Sequence, residues 1–229
     1  MKSISLDERL ASAAALVRDG ATLADIGTDH AYLPIYLLSV GRIRAAVCSD
    51  INRGPLERAE ANVAQAGFSE AVSFRLCDGA GELFEYGATD YAICGMGGEL
   101  ISKIIEGAPY LKNPEYHLIL QPMSRASALR EYLGASGFIV LRETYSESCG
   151  KRYVTILAEY SGEKRTQTRL EAEFGKSLEY YHTDPLAKGY ADERLAALYR
   201  AARGKMLGGE GCPSELTLYN EAKRLTEEK

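Results

Sequence analysis

Residues 25–34 read Asp-Ile-Gly-Thr-Asp-His-Ala-Tyr-Leu-Pro (DIGTDHAYLP), a turn holding a glycine, an aspartate and a histidine between an apolar run that ends at Asp25-Ile26 and a helical segment. Upstream, TLADI (22–26) reads as a buried strand, and downstream a helix is expected over about 33–40, with Pro34 in its first turn. The same strand, turn and helix pattern then recurs. Apolar runs AAVCSD (45–50), VSFRLCD (72–78), YAICG (91–95) and YHLILQP (116–122) are separated by helical segments. One has Pro55 at its first turn and Gly67 at its stop, one follows Gly98, and one spans about 124–133. Strict alternation implies right-handed crossovers and a mostly parallel, doubly wound α/β sheet. The last two strands, FIVLRETYSE (138–147) and RYVTILAEYS (152–161), are joined by a few residues around Cys149 and Gly150, which forces an antiparallel pair at the sheet edge.

A chain of 229 residues, 46% hydrophobic, suits one core domain of residues 1–161 plus an appendage of residues 162–229. After Gly162 the texture changes to charged helices, over about 167–182, 191–205 and 214–228, forming a hairpin or small bundle. Ahead of the first strand, SLDE (5–8) is a capping-box pattern that opens a helix carrying Leu6, Leu10 and Val17, with Gly20 after it. No apolar stretch approaches the roughly 20 residues of a membrane span, and no signal peptide is visible, so a cytoplasmic protein with no membrane contact is expected. The five cysteines (48, 77, 94, 149, 212) form no Cys-x-x-Cys pair, which predicts reduced thiols and no metal site. Residues 161–229 hold 12 basic and 12 acidic side chains, so the net charge of −5 lies wholly in the front of the chain. A neutral tail behind an acidic front permits nucleic-acid contact through the tail.

In a doubly wound sheet, ligands sit outside the carboxyl ends of the strands. Four strand ends carry polar residues here: Asp25 to Pro34, Asp50, Asp78 in CDGA (77–80), and CGMGGE (94–99). A dinucleotide site needs G-x-G-x-x-G so that pyrophosphate meets a helix N-terminus. This chain has Gly27 alone, with Asp29 in the phosphate's place. A cationic, phosphate-free adenosine derivative fits instead. For S-adenosylmethionine, Asp25 would take the ammonium, Asp50 the ribose diol and Asp78 the adenine amine.

DIGTDHAYLP, SDIN (49–52), DGAGEL (78–83), GMGG (95–98) and LQP (120–122) together resemble the bacterial TrmK family of tRNA adenine-N1 methyltransferases acting on adenosine 22, over about residues 3–160. The tail resembles that family only in being helical, and has Gly175-Lys176 where the family often has Gly-Pro. The resemblance implies a Rossmann-like class I methyltransferase fold, with a seven-stranded sheet and a C-terminal helical appendage that helps hold tRNA. It implies S-adenosylmethionine contacts at Asp25, Gly27, Asp50, Ile51, Asn52, Asp78, Gly79, Gly95, Met96 and Gly97, and contacts to the target base at Gly98, Gln121 and Pro122.

The local chemistry agrees with that implication. Enzymes that methylate an exocyclic amine commonly carry D/N-P-P-F/Y after the fourth strand, where this chain has Gly95-Met96-Gly97-Gly98. Adenine N1 presents a lone pair and needs no prior deprotonation, and the methylated ring is a cation that a nearby carboxylate stabilises. Asp29 is the candidate for that role, with His30 assisting and Tyr32 stacking on a base swung out of the RNA.

Each residue also has a plainer reading. Asp29 could be the N-cap of the following helix, His30 a structural hydrogen bond, Tyr32 packed on the sheet, GMGG a tight turn, and Gln121-Pro122 the end of a strand. His117 and His182 read as strand and surface residues, and Tyr180, Tyr181 and Tyr199 as helix packing. Two rival functions share the architecture: a nicotinamide-dependent oxidoreductase, and a non-catalytic RNA-binding protein that keeps the fold. The sequence leaves the oligomeric state open, a monomer included.

Overall fold

The computed structural model describes residues 5–209, 211 and 213–227; Cys212 and residue 228 lie outside the described residues. Chain order is α1 (Glu8–Ala14), β1 (Ala21–Ile26), α2 (Tyr32–Ser39), β2 (Ile43–Asp50), α3 (Arg53–Ala66), β3 (Val72–Leu76), β4 (Asp90–Gly97), α4 (Gly98–Glu106), β5 (His117–Ser124), α5 (Ala126–Ser136), β6 (Phe138–Ser148) and β7 (Lys151–Tyr160). The tail follows with α6 (Arg169–Phe174), α7 (Pro185–Leu207) and α8 (Ser214–Glu227).

The seven strands form one sheet in the order β3-β2-β1-β4-β5-β7-β6. The first five pair in parallel, and β7 pairs antiparallel with both β5 and β6. Strand order reverses between β1 and β4, so the crevice of the fold opens beside residues 25–34. The central strands are apolar on both sides because helices cover both faces. Ala13, Val17, Leu33, Leu37, Ala59 and Val63 cover one face, and Ile101, Ile105, Leu129 and Leu133 the other. The β6–β7 link is the expected short one: Ser148 pairs with Lys151, and Cys149 and Gly150 sit at φ 50° and 72°, the left-handed pair of a type I′ turn.

Three local expectations change. The first helix is capped by Asp7 rather than by a Ser5–Glu8 box: Asp7 Oδ1 accepts from the Leu10 N–H at 2.8 Å, and the helix stops at Ala14. A carboxylate closer to the apolar periodicity displaced the serine as cap. Ser124, expected to start a helix, is the last residue of β5, and Arg125 at φ 57° turns the chain into α5. The helix expected over 167–182 breaks at Gly175, whose φ of 54° and position against the Arg130–Glu143 pair leave no room for a Cβ. The chain crosses the ion pair there, and the Lys176 N–H, which a proline would lack, donates to Glu143 Oε2 at 2.9 Å.

The tail has a small core of its own, in which Phe174, Tyr181, Leu195, Leu198 and Leu218 meet. α7 and α8 run antiparallel, with Tyr199 against Tyr219 and Lys205 bonded to Glu215 at 2.7 Å. The first turns of α7 dock this unit on the sheet, where Ala187 and Tyr190 join the main core. His117 lies in β5 and His182 is exposed, as expected.

Candidate functional site

The turn after β1 is held from beneath. The N–H groups of Gly27 and Thr28 both donate to the Ser49 carbonyl of β2, at 2.8 and 2.9 Å. Gly27 adopts φ 76°, which favours glycine, and a side chain there would have to displace the methyl end of the flexible Met96 side chain. Thr28 is buried and works in both directions: its hydroxyl donates to Asp25 Oδ2 at 2.6 Å and accepts from the Ala31 N–H at 3.2 Å. Ala31, at φ 53°, is the N-cap of α2, which has no side-chain cap bond. The reading of Asp29 as that cap is therefore corrected. The Thr28 hydroxyl already meets the Ala31 N–H, and Asp29 is left pointing into the crevice region.

Asp25 is 8% exposed and has no cationic partner among the described residues. Burial pushes its carboxyl up to about 6, with the Thr28 hydrogen bond pulling the other way. Asp29 is the opposite case. It is largely exposed, and the hydrogen bonds from Arg58 of α3 hold its carboxyl below the ordinary value, with the nearby His30 adding to the effect. Arg58 Nε lies 3.2 Å from Asp29 Oδ1, its Nη2 contacts the same oxygen, and His30 Nε2 lies 3.2 Å from Oδ2. The His30 and Tyr32 rings are stacked, with centroids 5.0 Å apart and planes 12° apart. Tyr32 is 41% exposed, so it presents a ring to solvent rather than packing on the sheet.

Asp25, Gly27, Asp29, His30, Tyr32 and Gly95 line one cavity of about 440 Å³. Gly95 turns β4 with φ 79°, and its N–H donates to the carboxamide oxygen of the fully buried Gln121 at 3.0 Å. Met96 lies over Gly27, Gly97 caps α4, and Gly98 begins α4 with no space for a Cβ against the Arg125 carbonyl. Pro122 is buried beside Gln121 in β5.

The other expected cofactor residues stand at the neighbouring strand ends, outside the lining of that cavity. Asp50 is half-buried, and its Oδ1 accepts from the Asn52 N–H at 2.7 Å. Ile51 is 60% exposed, and Asn52 is the N-cap of α3. Asp78 is exposed in the bend after β3, next to Gly79 at φ 62°. The Cys77 N–H donates to the Asp50 carbonyl at 3.1 Å, which keeps the β2 and β3 ends together.

Sequence reasoning missed Thr28, Arg58 and Arg9. Thr28 was legible, since a hydroxyl three residues after a buried aspartate can satisfy it. Arg58 and Arg9 come from helices that the linear pattern does not connect to the turn. Among the described residues there is no cluster of His, Cys, Asp or Glu suited to a metal, and no helix long and apolar enough to cross a membrane.

The family described as "Methyltransferase domain" matches residues 6–156. The chain is 36% identical over 160 residues to a Bacillus subtilis (strain 168) protein named tRNA (adenine(22)-N(1))-methyltransferase, covering 69% of this chain and 67% of that protein. Its fold superposes on the B. subtilis m1A22 tRNA methyltransferase TrmK with a TM-score of 0.79 at 26% identity, covering 98% of this chain and 97% of the other. On Streptococcus pneumoniae Sp1610, solved in complex with S-adenosyl-L-methionine, the TM-score is 0.81 at 30% identity, covering 97% of this chain and 100% of the other.

Proposed function

Since the chain belongs to the methyltransferase-domain family and, within it, to the TrmK group of tRNA (adenine(22)-N1)-methyltransferases, we infer that it transfers the methyl group of S-adenosylmethionine to N1 of adenosine 22 in tRNA. The observation that carries this reading is Asp25, a buried carboxylate at the head of the crevice with no cation paired to it among the described residues. An ammonium group supplies what its burial lacks, and Gly27, at φ 76°, gives the turn the backbone conformation that brings Asp25 and Asp29 to one cavity. Asp50 suits the ribose diol and Asp78 the adenine amine, with Ile51, Asn52, Gly79, Gly95, Met96 and Gly97 shaping the walls between them. These residues fit a cofactor with a cationic amino-acid end and a neutral nucleoside end. The absence of a second and third phosphate-loop glycine, with Asp29 in their place, disfavours a dinucleotide.

When bound, S-adenosylmethionine supplies a methyl group activated by a sulfonium. The N1 lone pair of adenine attacks that carbon as the carbon–sulfur bond breaks, and positive charge grows on the purine while the sulfur becomes neutral. Tyr32, fixed by its stack on His30, offers a flat exposed surface for the base. Asp29 stays ionised well below neutral pH and so opposes the growing ring charge with a fixed carboxylate. His30 braces both the carboxylate and the aromatic ring. Gln121, expected to touch the base, is fully buried and instead fixes the Gly95 turn and Arg9 from behind, and the buried Pro122 and Gly98 likewise support the site without facing the base. Positioning of the two reactants accounts for most of the barrier reduction, because no proton must leave N1 first.

Residues 1–161 form the catalytic domain and residues 162–229 the tRNA-contacting unit, with the reaction taking place in the cytoplasm, where tRNA is used. The test is transfer from labelled S-adenosylmethionine to unmodified tRNA, followed by nucleoside analysis and mapping. 1-Methyladenosine at position 22 is the expected product; a different methylated nucleoside, or no labelled tRNA, overturns the reading.

A further inference from the structure

Arg58 lies in the second turn of α3, with its side chain 52% exposed. Among the described residues, both of its hydrogen bonds go to one oxygen of Asp29. Nε lies 3.2 Å from Oδ1 and Nη2 contacts the same atom, which leaves Nη1 without a partner. The contact is therefore not the fork-to-fork pairing that a guanidinium makes with two oxygens of an anion. Nor is it what fastens α3 to the turn after β1. Asn62, four residues along the same helix face, makes that attachment, its Nδ2 donating to the His30 carbonyl at 3.0 Å. The surroundings are anionic. Asp7, Asp25 and Asp29 line the cavity, and Arg9, its one lining arginine or lysine among the described residues, is already bonded to Gln121 and Asp7.

A carboxylate held by a guanidinium is close to a neutral unit, so Asp29 opposes a cationic purine with its full charge only when Arg58 is engaged elsewhere. RNA brings the other partner, because a nucleotide whose base enters the cavity carries a backbone phosphate on each side. We propose that Arg58 leaves Asp29 when RNA binds and takes a phosphate flanking the target adenosine, so that RNA binding frees the carboxylate that faces the purine. This rests on the methyltransferase reading above and adds a residue that reading does not use. The exchange costs little, because an exposed ion pair is weak and both side chains are already about half in water. It favours the phosphate, which presents two oxygens to the planar fork. Asp29 offers one, since His30 Nε2 lies 3.2 Å from the other. A cation moved onto the phosphate also offsets the repulsion between the RNA backbone and the acidic lining.

The alternative role for Arg58 is to hold Asp29 throughout the reaction. A double-mutant cycle on tRNA binding separates the two roles, because in the Asp29→Asn background there is no carboxylate left to hold. Fluorescence anisotropy of labelled, unmodified tRNA is titrated with the full chain under saturating S-adenosylhomocysteine, at salt concentrations from about 50 to 200 mM. In the Asp29→Asn background, Arg58→Ala is expected to weaken tRNA about 5- to 10-fold and to lower the salt slope by about 1. With Asp29 intact the loss is smaller, since the wild-type guanidinium must first leave the carboxylate. Steady-state rates with Asp29 intact then show a higher KM for tRNA in Arg58→Ala with kcat nearly unchanged. Lys112 is exposed ahead of β5, at the opposite end of the strands, and Lys112→Ala is the control for removing any positive charge. If the effect of Arg58→Ala on tRNA vanishes once Asp29 is replaced, or does not exceed that of Lys112→Ala, Arg58 only holds Asp29 and the proposal fails. A fall in kcat with KM unchanged overturns it in the same way. A wild type that binds no tRNA refutes the reading on which the proposal rests, so the two failures are told apart.

Discussion

Arg58 of α3 and Asp29 of the turn after β1 are joined through a single carboxylate oxygen, leaving the other oxygen to His30. The pair is exposed, so it contributes little to stability, less than about 1 kcal/mol. Its effect is on charge: it keeps Asp29 ionised to a lower pH than a free aspartate. Asp29→Asn preserves the shape and removes the charge. The expected result is a fall of about 100-fold in kcat for tRNA methylation, with S-adenosylhomocysteine affinity and Tm nearly unchanged. Because Ala31 rather than Asp29 caps α2, a large loss of Tm in this variant would overturn the assignment.

Asp25 gives a prediction of opposite sign for stability and binding. Its carboxyl rises from 3.8 to about 6 on folding, so the ligand-free protein bears a burial cost in full above pH 6, a cost that protonation relieves as pH falls toward 4. A rise of that size corresponds to about 3 kcal/mol. Asp25→Asn keeps an acceptor for the Thr28 hydroxyl and removes the charge, and is therefore expected to raise the stability of the ligand-free protein at pH 7.5 by about 2–3 kcal/mol. Denaturant titrations should show this advantage shrinking by pH 5. The same substitution should abolish measurable S-adenosylhomocysteine binding, and wild-type affinity should decline below pH 6 as Asp25 takes up a proton.

The glycines of GMGG separate into packing and conformational roles. Gly98 is buried, and a methyl group there would overlap the Arg125 carbonyl, which is backbone and cannot step aside. Gly98→Ala should leave little soluble folded protein. Gly27→Ala meets only the end of the flexible Met96 side chain, although it also forces an alanine to φ 76°. It should fold with a loss of about 1–2 kcal/mol and a markedly weaker affinity for S-adenosylhomocysteine, read by thermal shift and calorimetry.

The strands, their mostly parallel arrangement and the antiparallel edge pair were legible because each strand is an apolar run bounded by turn residues, and because the two-residue Cys149-Gly150 link admits one geometry. The polar strand ends were legible for the same reason, since their positions follow once the strands are placed. What the sequence hid is contact between distant segments. Arg9 meets Gln121 across 112 positions and Arg58 meets Asp29 across 29, and no local periodicity encodes either pairing. The break at Gly175 was hidden too, because it is set by an ion pair formed in another part of the fold.

That ion pair makes the joint between the sheet and the tail a sharp test of buried electrostatics. Arg130 and Glu143 are 1% and 3% exposed, with Nε to Oε1 at 2.6 Å. Arg130 Nη1 donates to the Ala172 carbonyl of α6 at 2.9 Å, and Glu143 also accepts from the Tyr145 hydroxyl at 2.6 Å and from the Lys176 N–H. Despite the burial, Arg130 and these hydrogen bonds hold the Glu143 carboxyl below its ordinary value. Its contribution is therefore present above the unfolded value of about 4.5 and is lost only as pH falls through the lower folded value. Glu143→Gln strands a buried guanidinium and is expected to cost about 3–5 kcal/mol. Because α6 hangs on both partners, hydrogen exchange in residues 169–177 should accelerate more than in β4 or β5. If tRNA affinity depends on the tail keeping its place, KM for tRNA should rise while the affinity for S-adenosylhomocysteine holds. Equal protection losses in the tail and in the central strands would show instead that the two units unfold as one.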